Sequence, residues 1–448
     1  MKESSTTAFS NNELKKLILP LFAEQLLTML VGIADTFVVS FVGEVAVSGV
    51  SLVNAFNTIF IYLFTALASG GAVIISQYIG RNEFDTAGKA SSQLLSFSVL
   101  FSVITALSII GLNETLIRIM FGRVEQDVSY ACVTYLRISA YSYPALAVYN
   151  AGAALYRSIG KTSTTMYISI IANVINVIGN LIGVFVLNAG VAGVAYPSLI
   201  SRAFSAVVIT VLCFSKKNTV NYRLSWILKP NRRLLSQMLK IAVPNGIESG
   251  IFQLVKVALS SIVALFGTCQ IAANGIAQSI WSMASLVSVT MGPVFITVIG
   301  QCMGANNISA AEHLFKKLMK ITLLFSVGWN IAVFAVTPLL MNWYSIAEET
   351  KRLVILLVLI HNIFSAIAFP FADPLGKGLR ATGDVKFTTL VSLGTTVGGR
   401  LIFSILLSII LNLGVIGIAW AMCLDWVLRG IIFWCRFKQG KWKQFKVI

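Results

Sequence analysis

The feature of this sequence that most constrains its fold is a series of long apolar runs that recurs along the whole chain. A helix of about 20 apolar residues crosses the ~30 Å hydrocarbon core of a bilayer, so each run of this length is a candidate transmembrane helix. The sequence therefore predicts an all-α membrane protein with twelve transmembrane helices. Their approximate ranges are 16–40, 50–76, 92–113, 130–156, 163–187, 191–213, 240–265, 273–300, 318–343, 353–378, 387–411 and 415–435.

The composition is that of a membrane protein. Mean hydropathy is +0.84, and 11% of the residues are charged, against about a quarter in soluble globular proteins. The net charge of +17 is concentrated in the connection between the two halves and in the carboxyl-terminal tail. By the positive-inside rule, this placement predicts that both termini and the central connection are cytoplasmic. We interpret the charge as a topology signal and expect no nucleic-acid partner.

The second half of the chain repeats the first at an offset of 224 residues. Six helices in each half, an even number, give both halves the same orientation, as in transporters built from parallel repeats. We predict two pseudo-symmetric six-helix bundles: an amino-terminal lobe at 1–215, a basic cytoplasmic linker at 216–239 and a carboxyl-terminal lobe at 240–448 with a basic cytoplasmic tail. Matched pairs are Pro20 with Pro244, Glu24 with Glu248, Gly43 with Gly267, Gln77 with Gln301, Asn188 with Asn412 and, with one residue of slippage, Gly160 with Gly383.

The first predicted helix carries two acids and a proline inside its apolar run. An acid in a transmembrane helix is costly and marks an ion path or a partner. Asp35 is the first candidate, and Glu24, three helical turns away on the same face, is a candidate inner acid. Pro20 removes one backbone hydrogen bond and is expected to bend the helix. The alternatives are a carboxyl group held neutral by its neighbours and a proline with no role in bending.

Polar residues of the fifth and sixth predicted helices lie at the depth of Asp35. Asn180 and Ser198 each lie eight residues from the turn that joins these helices, which places them roughly 12 Å inside the outer surface. Asn176 lies one turn deeper. A carboxylate, two amides and a hydroxyl at one level suit a proton or a hard cation such as Na⁺. The alternative is interhelical amide packing without a ligand.

The second half differs from the first at this level. Symmetry places Leu259 at the position of Asp35 and Lys256 at that of Gly32. The acids Glu248 and Asp373 lie deeper, at similar distances from the inner ends of their helices, so they are candidates to flank a cavity that binds a cation or the substrate. Lys256 is a candidate to counter one of them; snorkelling or binding to lipid phosphate is the alternative.

A separate charged group is predicted in the last two helices. Arg400 and Asp425 lie twelve residues before and eleven residues after the turn between these helices, and Arg429 follows one turn later. We interpret these three as a structural ion cluster. Symmetry with a one-residue slip pairs Asn176 with Gly399 and Asn180 with Phe403.

The chain resembles the multidrug and toxic compound extrusion (MATE) transporters. The resemblance rests on four pieces and covers essentially the whole chain: Ala34–Thr36 with Pro20 fifteen residues before Asp35, Gln77–Gly80, the turn Arg157–Lys161 leading into ANVINVIGN, and Leu379–Asp384. It implies a V-shaped pair of six-helix lobes that alternates access. It also implies export of amphiphilic, often cationic compounds in exchange for H⁺ or Na⁺.

The resemblance also implies roles for individual residues. Asp35 matches the first-helix aspartate of the family's amino-lobe cation site, Asn176 matches its asparagine, and Ser198 stands where the family often has threonine. Pro20 matches the proline at which this helix is proposed to bend on protonation. Asn180 stands where many members have a second aspartate, which removes one charge from the site.

In the carboxyl lobe the match to the family is looser. Glu248 lies one turn before the position where several members carry a glutamate. Asp373 lies closer to the Leu379–Arg380 turn than the usual aspartate of the tenth helix.

The sequence thus predicts a secondary active multidrug antiporter rather than an enzyme. It has no Walker A motif and no catalytic constellation, and we expect no cofactor beyond the coupling ion, H⁺ or Na⁺, the latter with Asp35 as its candidate ligand. The expected partners are drug-like cations and the lipid bilayer, with the protein a monomer in the plasma membrane. The alternative is a flippase for lipid-linked anionic precursors, in which Lys256, Arg202 and Arg400 would hold phosphates.

Overall fold

The computed structural model describes residues 9–121, 125–342, 346–445 and 447–448. All secondary structure within these ranges is helical. The chain divides into two compact units. One is Asn11–Gly246, called the first unit, and the other contains Ile247–Ile448 together with residues 9 and 10, called the second unit. Residues 1–8 of the predicted amino-terminal lobe lie outside the described residues.

The first unit follows the predicted order of helices. The fourth predicted span is divided into α4 and α5 at Ser142, directly before Tyr143 and Pro144, because proline cannot donate the hydrogen bond that would continue a helix. Its helices are α1 Asn11–Ser40, α2 Glu44–Gly80, α3 Phe84–Phe121, α4 Gln126–Tyr141, α5 Tyr143–Ser158, α6 Thr162–Leu181 with a π-helical extension Ile182–Val186, α7 Ala192–Cys213 and the short α8 Leu224–Ile227.

The second unit repeats this order with more interruptions. The unit boundary after Gly246 lies inside α9. The helices are α9 Arg232–Val263, α10 Thr268–Ala284, α11 Leu286–Gly304, α12 Ile308–Met341, α13 Glu348–Ile367, α14 Phe369–Ala372, α15 Pro374–Thr382, α16 Val385–Gly394, α17 Phe403–Ile405 and α18 Gly414–Lys438. Two π-helical stretches, Thr395–Ile402 and Leu406–Ile410, flank α17.

Within the described ranges, 11 helices are long and apolar enough to cross a membrane. Each of them overlaps one predicted span, although the prediction 273–300 covers α10 as well as α11 and the prediction 353–378 runs from α13 into α15. The remaining prediction, the fourth, corresponds to α4 and α5, which are 16 residues each and too short to be counted separately. The all-α membrane fold predicted from the apolar runs is therefore confirmed.

The backbone repeats at the same offset as the sequence. Left-handed residues recur 224 positions apart, and so do the π-helical stretches Ile182–Val186 and Leu406–Ile410. Between Gly383 and Asn412 the second half is one residue longer than the first half is between Gly160 and Asn188. Insertion of one residue into an α-helix produces a π-helical turn. The π-helical stretch Thr395–Ile402, which has no counterpart among the described residues of the first half, therefore accommodates this extra residue. The left-handed pairs are Gly43 with Gly267, Asn82 with Asn306, Asn188 with Asn412 and Gly190 with Gly414.

This position of the extra residue corrects one expected pairing. After the π-helical stretch the offset is 224 again, so Asn180 corresponds to Ser404 rather than to Phe403. The counterpart of Asn176 lies within the stretch itself, at Gly399 or Arg400.

The segment predicted as a linker, residues 216–239, is packed against α3. Gln93 Nε2 on α3 donates to the backbone carbonyl of Lys229 at 2.9 Å, and Ser96 donates to that of Ile227 at 3.0 Å. The Arg223 guanidinium lies 4.1 Å from the centre of the Trp226 ring. The last eight residues of the predicted linker already belong to α9.

Each unit has its own apolar core. In the first unit the core is built by α1 to α7 and includes Val53, Leu136 and Tyr143. In the second unit it is built mainly by α9, α10, α13 and α18 and includes Val354, Val415 and Trp426. These cores fix the helices on which the polar side chains described below are mounted.

Candidate functional site

A side chain of α6 forms hydrogen bonds to the backbone of α1 next to Pro20. Pro20 has no backbone N–H, so the carbonyl of Lys16 loses its helical partner. Thr162, the first residue of α6, donates its hydroxyl to that carbonyl at 2.9 Å and to the carbonyl of Leu17 at 3.2 Å. The hydrogen bond that the proline removes is therefore replaced by a side chain of α6, and α1 stays continuous through Pro20.

Glu24, the candidate inner acid, is buried and fully engaged. Its side chain accepts from Arg157 Nη2 at 2.8 Å, from Thr165 Oγ1 at 2.9 Å and from the Tyr149 hydroxyl at 3.3 Å. The side chain is 5% exposed. These three partners come from α5 and α6 and were not identified from the sequence. The basic residue in the last turn of α5 was the one available signal, because it lies at the inner end of its span.

Asp35 lies among the side chains that the sequence placed at its depth. Asn180 Nδ2 donates to Asp35 Oδ1 at 2.6 Å. With the Asn176 amide nitrogen facing Asp35, that nitrogen lies 2.8 Å from Oδ1, and the amide oxygen accepts from Ser198 Oγ at 3.0 Å. The opposite rotation would direct a carbonyl oxygen at the carboxylate, so we assign the first. The structure therefore brings together all four residues of the predicted cation-coupling site.

This cluster, Asp35 with Asn176, Asn180 and Ser198, is called the aspartate cluster. It joins α1, α6 and α7 and combines a half-buried carboxylate with fully buried amides. Asn180 Oδ1 is buried and has no hydrogen-bond partner among the described residues. An acceptor oxygen beside a carboxylate is suited to a protonated carboxyl group or to a hard cation.

Arg202 is a neighbour of the aspartate cluster that the sequence did not place there. It lies on α7, within electrostatic range of Asp35, and its Nη1 donates to Ser142 Oγ at 2.7 Å. The hydroxyl of Ser142 thus fixes the position of a cation near the carboxylate. Arg202 lies one turn beyond Ser198 on α7, and this spacing was the signal in the sequence.

In the second unit the two predicted acids have separate cationic partners. Glu248 pairs with Arg380, whose Nε donates to Thr388 at 3.1 Å, and Asp373 pairs with Lys377 at 2.8 Å. The first of these pairs is the counterpart of Glu24 with Arg157, because the repeat relates both residues. Lys256, expected to counter one of these acids, forms an ion pair with neither of them. Glu248 and Asp373 therefore belong to two local ion pairs, and their role in a cavity that binds a cation or the substrate stays a prediction.

The structure also separates the three residues of the ion cluster predicted in the last two helices. Asp425 Oδ1 pairs with Arg429 at 2.7 Å, and Arg429 also donates to Thr395 at 3.0 Å and to Thr396 at 2.8 Å. Arg400 does not come within ion-pair distance of Asp425 in the described structure. The expected trio is therefore a pair, with Arg400 apart from it.

Comparison with known proteins gives the family. The family model described as MatE matches residues 20–182 and again residues 244–406, two segments related by the offset of the repeat. The chain is 26% identical to the uncharacterized transporter YisQ of Bacillus subtilis, over 99% of this chain and 97% of that protein. It is 24% identical to the probable multidrug resistance protein NorM of Thermotoga maritima, over 97% of this chain and 94% of that protein.

A solved structure shares the fold. It is an outward-facing conformation of a multidrug resistance MATE family transporter, and it superposes with a TM-score of 0.90 at 18% identity, over 99% of this chain and 100% of that chain. The matched fold agrees with the predicted all-α architecture, and the family model matches well over half of the sequence. This chain belongs to the MatE family of membrane transporters and is not an enzyme.

Proposed function

We propose that the protein is a secondary active antiporter that exports amphiphilic cationic compounds in exchange for a coupling ion bound at Asp35. The observation that carries this proposal is the aspartate cluster, in which one carboxylate inside an apolar bundle is contacted by two amides. A transmembrane carboxylate is costly to keep unless it has a function or a partner, and this one has only neutral hydrogen-bond donors in direct contact. The names of relatives such as NorM, a probable multidrug resistance protein, support drug-like substrates.

We propose H⁺ as the coupling ion. The cluster offers one carboxylate, and Asn180 stands where many members of the family have a second aspartate. A single carboxylate is sufficient for a proton, whereas Na⁺ would rely on the oxygens of Asp35, Asn180 and Ser198 together. Protonation neutralises Asp35 and weakens the charge-assisted hydrogen bonds from the amides of α6. The outer half of α1 then loses its polar attachment to α6 and repacks.

The inner half of α1 limits where this movement begins. Thr162 holds the carbonyls before Pro20, and Arg157 and Thr165 hold Glu24 one turn after it. A bend at Pro20 therefore requires that Glu24 be released, and otherwise the movement is confined to the segment between Glu24 and Asp35. Both routes couple the charge of Asp35 to the shape of α1.

We further propose that the protein works as a monomer in the plasma membrane, with both termini in the cytoplasm. The asymmetric placement of basic residues supports this orientation. The function needs no bound cofactor, because the ion gradient supplies the energy.

Transport by purified protein in liposomes tests the proposal. The liposomes are loaded with a fluorescent organic cation, and an inward H⁺ gradient or an inward Na⁺ gradient is imposed separately. We expect export driven by H⁺ in the wild type and its loss in Asp35→Asn, with the variant still folded. Glu44→Gln is the matched control, because Glu44 is an exposed acid after the end of α1. Full activity of Asp35→Asn would refute the mechanism.

The same assay distinguishes the alternatives. Export driven by Na⁺ alone would assign Na⁺ to the site and refute H⁺ coupling. Absence of export under both gradients would favour a flippase for lipid-linked anions.

A further inference from the structure

We propose that the second unit binds a monovalent anion beside Arg400, in the region that the repeat relates to the aspartate cluster of the first unit. The ligand is either a halide such as chloride or the carboxylate of a zwitterionic substrate, since both present one negative charge to the same donors. This site is independent of the proposed role of Asp35.

Arg400 is a buried cation with unused donors. It lies in the π-helical stretch Thr395–Ile402 and is 3% exposed. Its Nε and Nη1 are buried and have no hydrogen-bond partner in the described part of the chain. One face of the guanidinium lies over the ring of Phe252, at 4.9 Å from the ring centre. A buried charge without partners is strongly unfavourable, so these donors require an acceptor.

The protein does not supply enough negative charge around Arg400. Asp425 lies within electrostatic range of it; its Oδ1 accepts from Arg429, and its Oδ2 is buried without a hydrogen-bond partner among the described residues. Two arginines thus share one carboxylate, and one positive charge is left over. Lys256, on the same helix as Phe252 and one turn beyond it, also lies within electrostatic range of Arg400. The excess of positive charge favours an anion over a cation or a water molecule.

Further donors in the same region are also unused. His361 on α13 is 1% exposed, and neither of its ring nitrogens has a hydrogen-bond partner among the described residues. It lies within electrostatic range of Arg400. Ser404, one turn beyond Arg400, has a buried hydroxyl that likewise lacks a partner there. A buried anion needs several donors, and α13, the π-helical stretch and α17 provide them.

The repeat explains why an anion site occurs here. The positions of Asp35 and Gly32 in the first unit are taken by Leu259 and Lys256 in the second. Ser404 replaces Asn180, and Gly399 or Arg400 replaces Asn176. The second unit thus lacks the carboxylate of Asp35 and has the positively charged side chains of Lys256 and Arg400 at or next to related positions. A site of opposite charge is the consequence, built on α9 and the π-helical stretch, which the repeat relates to α1 and α6, together with His361 of α13.

Equilibrium binding of radiolabelled chloride to the purified full-length protein tests this proposal. Sodium sulfate keeps the ionic strength constant, because a gluconate buffer would itself present a carboxylate to the site. We expect saturable binding of about one chloride per chain in the wild type and an affinity at least tenfold lower in Arg400→Gln. Arg436→Gln is the matched control, because it removes a partly buried arginine of the same unit that pairs with Asp384. This control is expected to keep the wild-type affinity for chloride.

Competition distinguishes the two sources of negative charge. Displacement of chloride by acetate as well as by bromide would indicate a site for carboxylates, and displacement by bromide alone would indicate a halide site. Either result supports the proposal. Absence of saturable chloride binding to the wild type, or equal affinity in Arg400→Gln, would overturn it. If Arg400→Gln does not fold, the anomalous signal of bromide in wild-type crystals decides, since a peak elsewhere than beside Arg400 would also overturn it.

Discussion

The buried pair of Glu24 and Arg157 gives the sharpest test of the packing of the first unit. Glu24 is held by three side-chain donors, and its side chain is 5% exposed, whereas that of Arg157 is 22% exposed. Removing one member of a buried pair typically costs about 3–5 kcal/mol, because the other charge stays in a low-dielectric environment. Since water reaches part of Arg157, we expect the lower end, about 3 kcal/mol, for Glu24→Gln.

A double-mutant cycle measures this interaction. The variants are Glu24→Gln, Arg157→Gln and the double replacement, and the free energy of unfolding is measured by SDS titration in mixed micelles. We expect the double variant to be destabilised by clearly less than the sum of the single variants, with a coupling energy of about 1–3 kcal/mol. The corresponding variant Glu248→Gln provides the comparison. Its side chain is 18% exposed, so we expect a smaller loss.

Additive effects in this cycle would refute the reasoning, because they would mean that Glu24 and Arg157 do not interact in the folded protein. The same variants address the movement of α1. If the bend at Pro20 releases Glu24, Glu24→Gln increases the rate of H⁺-driven export; if the movement is confined to the segment between Glu24 and Asp35, the rate stays unchanged.

Three further predictions follow from single contacts. Thr162→Val leaves the carbonyl of Lys16 without a donor, removes a second contact to the carbonyl of Leu17 and is expected to cost about 1–3 kcal/mol in the free energy of unfolding, whereas Thr162→Ser should stay near the wild type. Asn180→Asp adds a second carboxylate to the aspartate cluster, so Na⁺-driven export in liposomes should rise relative to the wild type; an unchanged response would contradict the assignment of Asn180. Gly183→Ala places a methyl group against the backbone of Gly193 and should cost about 1–3 kcal/mol or more, while Gly111→Ala, which has open space around it inside α3, should unfold at an SDS concentration no lower than that of the wild type.

The relative level of side chains on neighbouring helices was predictable because a helix rises by a constant amount per residue. The equal distances of Asn180 and Ser198 from one turn placed them at the level of Asp35, and the structure brings these residues together. The same counting did not identify the partners of Glu24 or Glu248. A hydrogen bond depends on the rotation of each helix about its axis as well as on depth, and rotation is set by the packing of all neighbouring helices.

The sequence by itself determined the helical membrane fold, the two related halves and the level of the aspartate cluster, since these depend on the length, polarity and spacing of residues along the chain. Only the tertiary structure decided which charges meet. It joined Glu248 to Arg380 and Asp373 to Lys377, and neither of them to Lys256. It also placed the extra residue of the second half in a π-helical stretch, where Arg400 is buried apart from Asp425. Contacts of this kind are decided by side chains from several helices that converge at one point, and a linear pattern does not encode that convergence.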